Sequence, residues 1–513
     1  MNTPLRLIDD ILNRITMYRL VLYALSALAV ISFTLSVAKI IPATPLALFQ
    51  SLVVLLFVSY VSNFLFSKIF HAQLNTESQW ISAFILFFII EPGTSLSLLW
   101  IPALAACIAM SSKYLFAIGK KHIFNPVAIT LVILALFGRG EAIWWVGNPI
   151  FSTIIFFLGI LILRKLRHFE LFFGFAVSAL LAMLYFGLTN GMVAIDVIKS
   201  GLLSWPLLFF GVFMLTEPQT TPPTRISRVL YGVLVGLLFG LPFHLALFGF
   251  VIYSSPALAL VLGNLVSYII SPKQKLILYL KEKKEIAQNT FQFVFSSKQK
   301  LQFAAGQYLE WTLPHKNGDS RGSRRYFTIA SSPTEETINL GIKYSPNASS
   351  SFKKALVAMD PQTFITASQL SGEFVLPKNK KKKLVFIAGG IGVTPFRSMI
   401  KYLLDTNEKR DIVLFYSNKT FAEIAYRDIF EEARLKLGIK TIYTLTDPNT
   451  PPSWEGKRGY VTAEMIKEEA PDFLEREFYI SGPHGMVTTF EEALGKMGVP
   501  ERQIKIDFFP GFA

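Results

Sequence analysis

Residues 384–395 (LVFIAGGIGVTP) run an apolar strand into three glycines and a helix-opening Thr-Pro. Glycines let a ligand approach the backbone closely, and a helix start aims free N–H groups at an anion. Gly389, Gly390, Gly392, Thr394 and Pro395 therefore suit a pyrophosphate. Arg325, Tyr326, Phe327 and Thr328 offer a phosphate-holding cation, flat aromatics for stacking, and a hydroxyl to hydrogen-bond a ring nitrogen. Ser350 and Ser351 are small hydroxyls at an expected helix start. Residues 479–487 (YISGPHGMV) form a second strand-to-glycine turn with Gly482, Pro483 and Met486, and Asp507 precedes the aromatic run of Phe508 and Phe509. Alone, each has an ordinary reading as a strand–helix turn or a core strand. Upstream, Glu91-Pro92 and Glu217-Pro218 recur at the ends of apolar runs, with Asn125, Thr220 and Thr221 as further polar groups.

The elements that carry these groups divide by charge. Of the first 271 residues 23 are charged, against 62 of the remaining 242, in a chain of net charge +15. The first part is too apolar for a water-soluble domain and the second has ordinary composition. Ten apolar stretches fall near 20–38, 45–66, 79–90, 97–111, 125–138, 149–163, 171–188, 200–215, 229–243 and 245–270. Several are shorter than the ~20 residues that cross a bilayer squarely, so broken or tilted helices are expected. Asp9 and Asp10 argue against a cleavable signal peptide. Placing the N-terminus in the cytoplasm puts Lys113, Lys120, Lys121, Arg164, Lys165, Arg167, Arg225 and Arg228 inside. Residues 272–513 then also lie in the cytoplasm, as expected of a bacterial inner-membrane protein. The two Glu-Pro pairs would sit on opposite sides, as a five-plus-five inverted repeat requires. Glu91 and Glu217 could also serve an ion or proton path, because acids near an apolar zone are costly.

Several chemistries are excluded. One cysteine, Cys107, leaves no disulfide framework, iron–sulfur cluster or CxxC pair. No basic stretch interleaves with aromatics, so nucleic acid is not an expected partner. The lysines at 378 and 380–383 read as a solvated turn, or more sharply as a contact for anionic lipid. No helix holds the two histidines a haem pair needs; His71, His122 and His168 adjoin loops and only His244 lies in an apolar run. His122, His168 and His484 read as loop or turn residues.

From residue 275 the pattern turns to short alternating stretches, 290–295, 307–313, 325–330 and 338–344, separated by turn signals. These suggest a small antiparallel β-barrel. After Pro377 strands alternate with helices, the mark of a doubly wound parallel sheet. The expected domains are a membrane domain over 1–271, a barrel over 272–378 and an α/β domain over 379–513.

Two resemblances follow. Residues 77–92 (ESQWISAFILFFIIEP), 124–129 (FNPVAI) and 213–221 (FMLTEPQTT) resemble the flavin-carrying membrane subunits of the Na⁺-translocating NADH:quinone reductase and the Rnf complex. That resemblance, over most of 75–270, implies a ten-helix inverted repeat holding flavin. Those relatives esterify FMN to a threonine in a Ser/Thr-Gly-Ala-Thr type loop; the loop here, 138–149 (GRGEAIWWVGNP), has no serine or threonine. Non-covalent FMN or riboflavin is the expectation, near Asn125, Glu91, Glu217, Thr220 and Thr221. The five motifs after residue 275 closely resemble the ferredoxin–NADP⁺ reductase family. By that resemblance Arg325, Ser350 and Ser351 hold FAD phosphates, and Phe327 lies beside the isoalloxazine in the strand it shares with Tyr326. Thr328 bonds near the reactive nitrogen, while Ile342 and Lys343 contribute backbone. Gly389, Gly390, Gly392, Thr394 and Pro395 take the NAD(P)H pyrophosphate and ribose, and Gly482, Pro483 and Met486 frame the nicotinamide. Ser481 replaces the usual cysteine, Phe509 is the shielding aromatic and Asp507 the acid. The implied activity is electron transfer from NAD(P)H through FAD to membrane flavin and on to a quinone, an extracytoplasmic protein or a small molecule. A redox-driven Na⁺ or H⁺ pump and a membrane-anchored FAD reductase stay open. NADH against NADPH also stays open, with Ser417, Asn418, Lys419 and Arg427 near the deciding strand end.

Overall fold

The computed structural model describes residues 15–507 apart from 71–75, 94, 119–120, 139–141, 248–249, 271–275, 317, 320–322, 348 and 362, together with Ile8, Ile11 and Leu12. It separates into two compact units, Met1–Gln274 and Lys275–Ala513.

In the first unit every expected apolar stretch carries a helix, yet crossing length is reached by few. Met17–Val37, Pro45–Ile69, Pro149–Leu166 and Phe169–Thr189 are long and apolar enough to span a membrane. A fifth span arises if Ala194–Leu203 and Leu207–Met214, bent by 50°, count as one. Thr76–Ile89, Pro126–Leu136 and Pro256–Ile270 are apolar but shorter. Starts follow local chemistry: Thr44, Asn125 and Asn148 cap helices whose first residues are Pro45, Pro126 and Pro149. Each side-chain oxygen accepts a free N–H, and proline loses nothing at that position. Thr224 and Ser227 close a capping box before Arg225–Gly240.

That last helix packs on Phe169–Thr189 through a glycine ridge. A Cβ at Gly232 would lie 2.6 Å from the Leu171 carbonyl oxygen, at Gly236 2.4 Å from that of Phe175, and at Gly240 2.6 Å from that of Ala179. Small residues every fourth position bring two backbones together where no hydrophobic force between helices operates. Phe210–Met214 is a π-helical turn, a deformation common beside functional sites.

One expected span is revised. Residues 245–270 are not a single helix: His244–Leu247 and Phe250–Tyr253 pair as an antiparallel hairpin, followed by helix Pro256–Ile270. Pro242 and the Ser254-Ser255-Pro256 step break helix at both ends, and the intervening residues are aromatic and β-branched. His244 therefore sits on a strand.

The second unit begins with a curled six-stranded antiparallel sheet. Its order is Arg324–Thr328, Tyr308–Thr312, Phe364–Ser371, Leu276–Ala287, Thr290–Ser297 and Ile338–Lys343. The two end strands are successive in the chain, and the Ala330 N–H bonds the Asn339 carbonyl at 2.8 Å across the turn between them. Phe293, Phe295, Trp311 and Leu340 fill the interior. A second, parallel sheet follows in the order Lys457–Arg458, Lys440–Leu445, Ile412–Asn418, Leu384–Gly389, Glu477–Ser481 and Ile504–Asp507. The order reverses at Leu384–Gly389, and such switch points open a crevice at the strands' carboxyl ends. The lysine run is an ion-paired turn: Lys380 meets Glu408 at 2.6 Å, Lys382 meets Glu477 at 2.7 Å, and Lys383 meets Asp472 at 2.7 Å.

Candidate functional site

The crevice of the parallel sheet is built from glycines. Leu384–Gly389 runs into the 3₁₀ turn Gly390–Val393 and the helix Thr394–Asp405. Gly390 has φ +52°, a left-handed value. A Cβ on Gly389 would lie 2.4 Å from Met486 Sδ, on Gly392 2.5 Å from the Ser481 carbonyl oxygen, and on Gly482 2.6 Å from Met486 Cε. Gly389, Gly392, Ser481, Gly482, Pro483 and Met486 are thus one packed assembly at the ends of adjacent strands. Thr394 Oγ1 donates to the Ile391 carbonyl at 3.2 Å, and Pro395 occupies the first turn of the helix. The turn suits the close approach of a dinucleotide backbone.

The curled sheet holds the second cluster. Arg325 is 1% exposed; its Nη2 donates to both oxygens of Asp319, at 3.0 and 3.2 Å, and its Nη1 to the Arg324 carbonyl at 2.7 Å. The Ser351 N–H also donates to Asp319 Oδ2 at 3.0 Å, and the Asp319 N–H donates to Ser351 Oγ at 2.9 Å. His315 Nε2 lies 2.8 Å from the same Oγ, while Nδ1 bonds the Leu313 carbonyl at 2.8 Å. A carbonyl only accepts, so Nδ1 carries the hydrogen. Arg325 and Ser351 therefore form an anion receptor that one carboxylate satisfies from within the chain. The donor set thus accommodates an anion, here a carboxylate. Ser350 caps Ser351–Val357 by accepting from the Lys353 N–H at 3.3 Å.

Strand alternation separates the remaining expected residues. Arg325 and Phe327 both lie against Phe352, at 5.4 and 5.8 Å from its ring centroid. On the other face Tyr326 donates to Glu310 at 2.9 Å, and Thr328 Oγ1 donates to Asp507 Oδ2 at 3.0 Å in a buried contact. Asp507 is also the register partner of Ser481. So Thr328, Ser481 and Asp507, distant in sequence, converge where the two sheets meet. Ile342 is a buried core residue and Lys343 pairs with Glu423 at 2.9 Å. Phe509 lies outside the described residues. Arg427 stacks on Phe421 with its guanidinium 5.0 Å from the ring.

In the first unit the polar groups gather unevenly. Glu217 accepts from Asn125 Nδ2 at 2.9 Å and from Thr220 at 3.4 Å, and lies 3.2 Å from His122 Nε2. The Asn125 N–H donates to Asn264 Oδ1 at 2.8 Å, and Asn264 Nδ2 bonds the Tyr231 hydroxyl at 2.8 Å. Thr221 Oγ1 donates to the Glu217 carbonyl at 3.2 Å. Glu217 and Asn125 border a cleft walled by Val21, Ile81, Ile85 and Phe213. Its walls are apolar and its Glu217 end is polar. Glu91 is apart from this cluster: it is exposed beyond the C-terminal end of Thr76–Ile89, whereas Ser78 and Ser82 of that helix's first turns line the cleft. His122, read from sequence as a loop residue, is the partner of Glu217. Two lining residues of the cleft are themselves bonded: the Ser78 carbonyl accepts from Lys113 at 3.0 Å, and the Tyr18 hydroxyl from Gln219 at 3.5 Å.

Comparison with known proteins agrees with the geometry of the second unit. Residues 386–492 match the oxidoreductase NAD-binding domain family. The chain is 28% identical over 211 residues to the stachydrine N-demethylase reductase subunit Stc4 of Rhizobium meliloti, covering 41% of this chain and 59% of that protein. It is 27% identical to the NADH-cytochrome b5 reductase 1 of Aspergillus terreus over 241 residues, 45% of this chain and 80% of that one. It is 28% identical to ferredoxin–NADP reductase B of Sorangium cellulosum over 212 residues, 40% of this chain and 84% of that one. The chain thus spans less than two thirds of the first of these relatives. The C-terminal unit is a ferredoxin–NADP⁺ reductase-type FAD/NAD(P) module. The expected haem exclusion concerns the first unit, to which none of these matches speaks.

Sequence reasoning missed Asp319, His315, Asn264 and Tyr231. Asp319 sits in a turn that reads only as a spacer, and Asn264 looks like a polar break in an apolar run.

Proposed function

We propose that the chain is a membrane NAD(P)H oxidoreductase that passes electrons from NAD(P)H through FAD to a non-covalent flavin in the first unit, and on to a membrane or extracytoplasmic acceptor. The observation that carries it is the pairing of a glycine-built dinucleotide crevice with an Arg325–Ser351 anion receptor in a chain that also holds helices long and apolar enough to span a membrane. Bound FAD supplies hydride acceptance and one-electron release, which a nicotinamide does not. Arg325 and Ser351 would hold its phosphates in place of Asp319, Phe327 would cover the ring, and Thr328 would bond its polar edge. Gly389, Gly390, Gly392, Thr394 and Pro395 would bind the NAD(P)H pyrophosphate and ribose, with Gly482, Pro483 and Met486 at the nicotinamide. Ser481 and Asp507 would line the reacting edge. In the cleft, Asn125, Glu217, Thr220 and Thr221 would bind the polar edge of the second flavin, and Glu91 would lie on a further path.

A cofactor inventory tests the reading: acid-extract the detergent-purified chain and quantify FAD, FMN, riboflavin and haem. FAD with a second, extractable flavin is the expected result. FAD alone would reduce the first unit to an anchor or a pump without a redox centre, and haem would overturn the electron path.

A further inference from the structure

The nucleotide helix Thr394–Asp405 is fastened to the curled sheet by a side chain with no part in the ligand contacts above. Arg397 is 5% exposed. Its Nη1 donates to the Ala330 carbonyl at 2.9 Å and also to Glu335 Oε2, and its Nη2 donates to Glu335 Oε1 at 2.9 Å. The guanidinium lies over the Tyr426 ring at 5.7 Å. Glu335 is held in turn, accepting from the Ser332 N–H at 2.5 Å. The next residue on the helix, Ser398, donates to the Ser331 carbonyl at 2.6 Å. Three consecutive residues after Ile329, namely Ala330, Ser331 and Ser332, are therefore fixed by one turn of the nucleotide helix or by its partner Glu335. One turn earlier on that helix, Thr394 lies against Gly341, where a Cβ would come within 2.8 Å of both Thr394 Cγ2 and Tyr426 Oη.

These contacts join the two halves of the site along a short chain of residues. On one side the strand carrying Thr328 ends two residues before Ala330; on the other, Gly392 turns into the helix five residues before Arg397. We infer that Arg397 is a positioning residue whose fork, gripping Glu335 and the Ala330 carbonyl together, sets how closely the Gly392 turn, and the Ser481–Gly482 turn packed against it, stands to the Thr328 edge. This rests on the NAD(P)H-to-FAD reading. Hydride transfer is steep in distance, and a misplacement of about 1 Å costs about 10²-fold. Lysine keeps the charge but has no planar fork to hold three oxygens at once.

The test uses the full-length, detergent-purified holoprotein and anaerobic rapid mixing with NAD(P)H. Arg397→Lys is expected to keep its FAD content and its KM for NAD(P)H within twofold, while flavin reduction slows ten- to a hundredfold. Glu335→Gln should slow it in the same direction, and the double variant should be no slower than Arg397→Lys. An unchanged reduction rate in Arg397→Lys would overturn the inference. So would a rate lost only in proportion to FAD content or melting temperature, which would make Arg397 a plain structural tie. A parent protein that holds FAD but is not reduced by NAD(P)H would instead sink the underlying reading.

Discussion

At the scale of single residues the anion receptor makes opposed demands on Asp319. Its carboxylate is bound by Arg325 and the Ser351 amide, the donors an FAD phosphate would use. Asp319→Asn removes the competing charge and should tighten FAD binding several-fold in titrations of the flavin-stripped chain; weaker binding would make Asp319 a support for Arg325. Arg325→Ala should lose FAD outright, because charge-assisted bonds to a buried guanidinium are the strong ones. A second carboxylate gives a pH signature. Burial pushes Asp472 up, but hydrogen bonds from Arg476 and Lys383 outweigh it and bring the group down to about 2 from an ordinary 3.8. A depressed carboxylate contributes stability that is complete above its unfolded value and lost as pH falls through the folded one. Asp472→Asn should therefore lower the melting temperature at pH 6 and by much less near pH 2.

At the scale of elements, glycine positions carry the sharpest consequences. Gly236→Leu drives a side chain into the Phe175 carbonyl and Ser178. Overpacking of this kind costs about 1–3 kcal/mol or more. Detergent melting of the first unit should fall, while NAD(P)H oxidation with a soluble dye persists. Gly392→Val meets the Ser481 carbonyl and Gly482; it should abolish NAD(P)H binding, read by difference spectra, with FAD retained. The glycines were legible from sequence because a turn between an apolar strand and a helix has few other solutions. Strand Leu276–Ala287 was not, since LILYLKEKKEIA turns from apolar to charged partway and its outer half is exposed. Helix Arg427–Leu437 follows a separate 3₁₀ turn at Phe421–Glu423, because Tyr426 is left-handed at φ +58° and interrupts the helix between them. The hairpin at His244 was hidden for a related reason: an apolar run without charges reads alike as strand or buried helix.

At the scale of the whole molecule, the strong charge asymmetry made the two-part organisation readable, whereas the membrane cluster needed three dimensions. Glu217, His122 and Asn264 are separated by up to 142 residues and meet through hydrogen bonds that no local pattern announces. Glu217→Gln should leave FAD content unchanged and weaken retention of the second flavin, measured by extraction after gel filtration. Equal loss of both flavins would argue for general misfolding instead. The Thr328–Asp507 contact has a consequence for biosynthesis. The two residues are 179 apart in the chain. At about 5–20 residues per second, Thr328 emerges about 10–35 s before the strand that supplies its buried partner, and the last strand of the curled sheet, Phe364–Ser371, about 7–27 s before it. During that interval the Thr328 hydroxyl faces water, and a nascent chain stalled in between would present a flavin site without its acid. Ribosome-bound intermediates of this protein should therefore be able to gather FAD before they are able to use it.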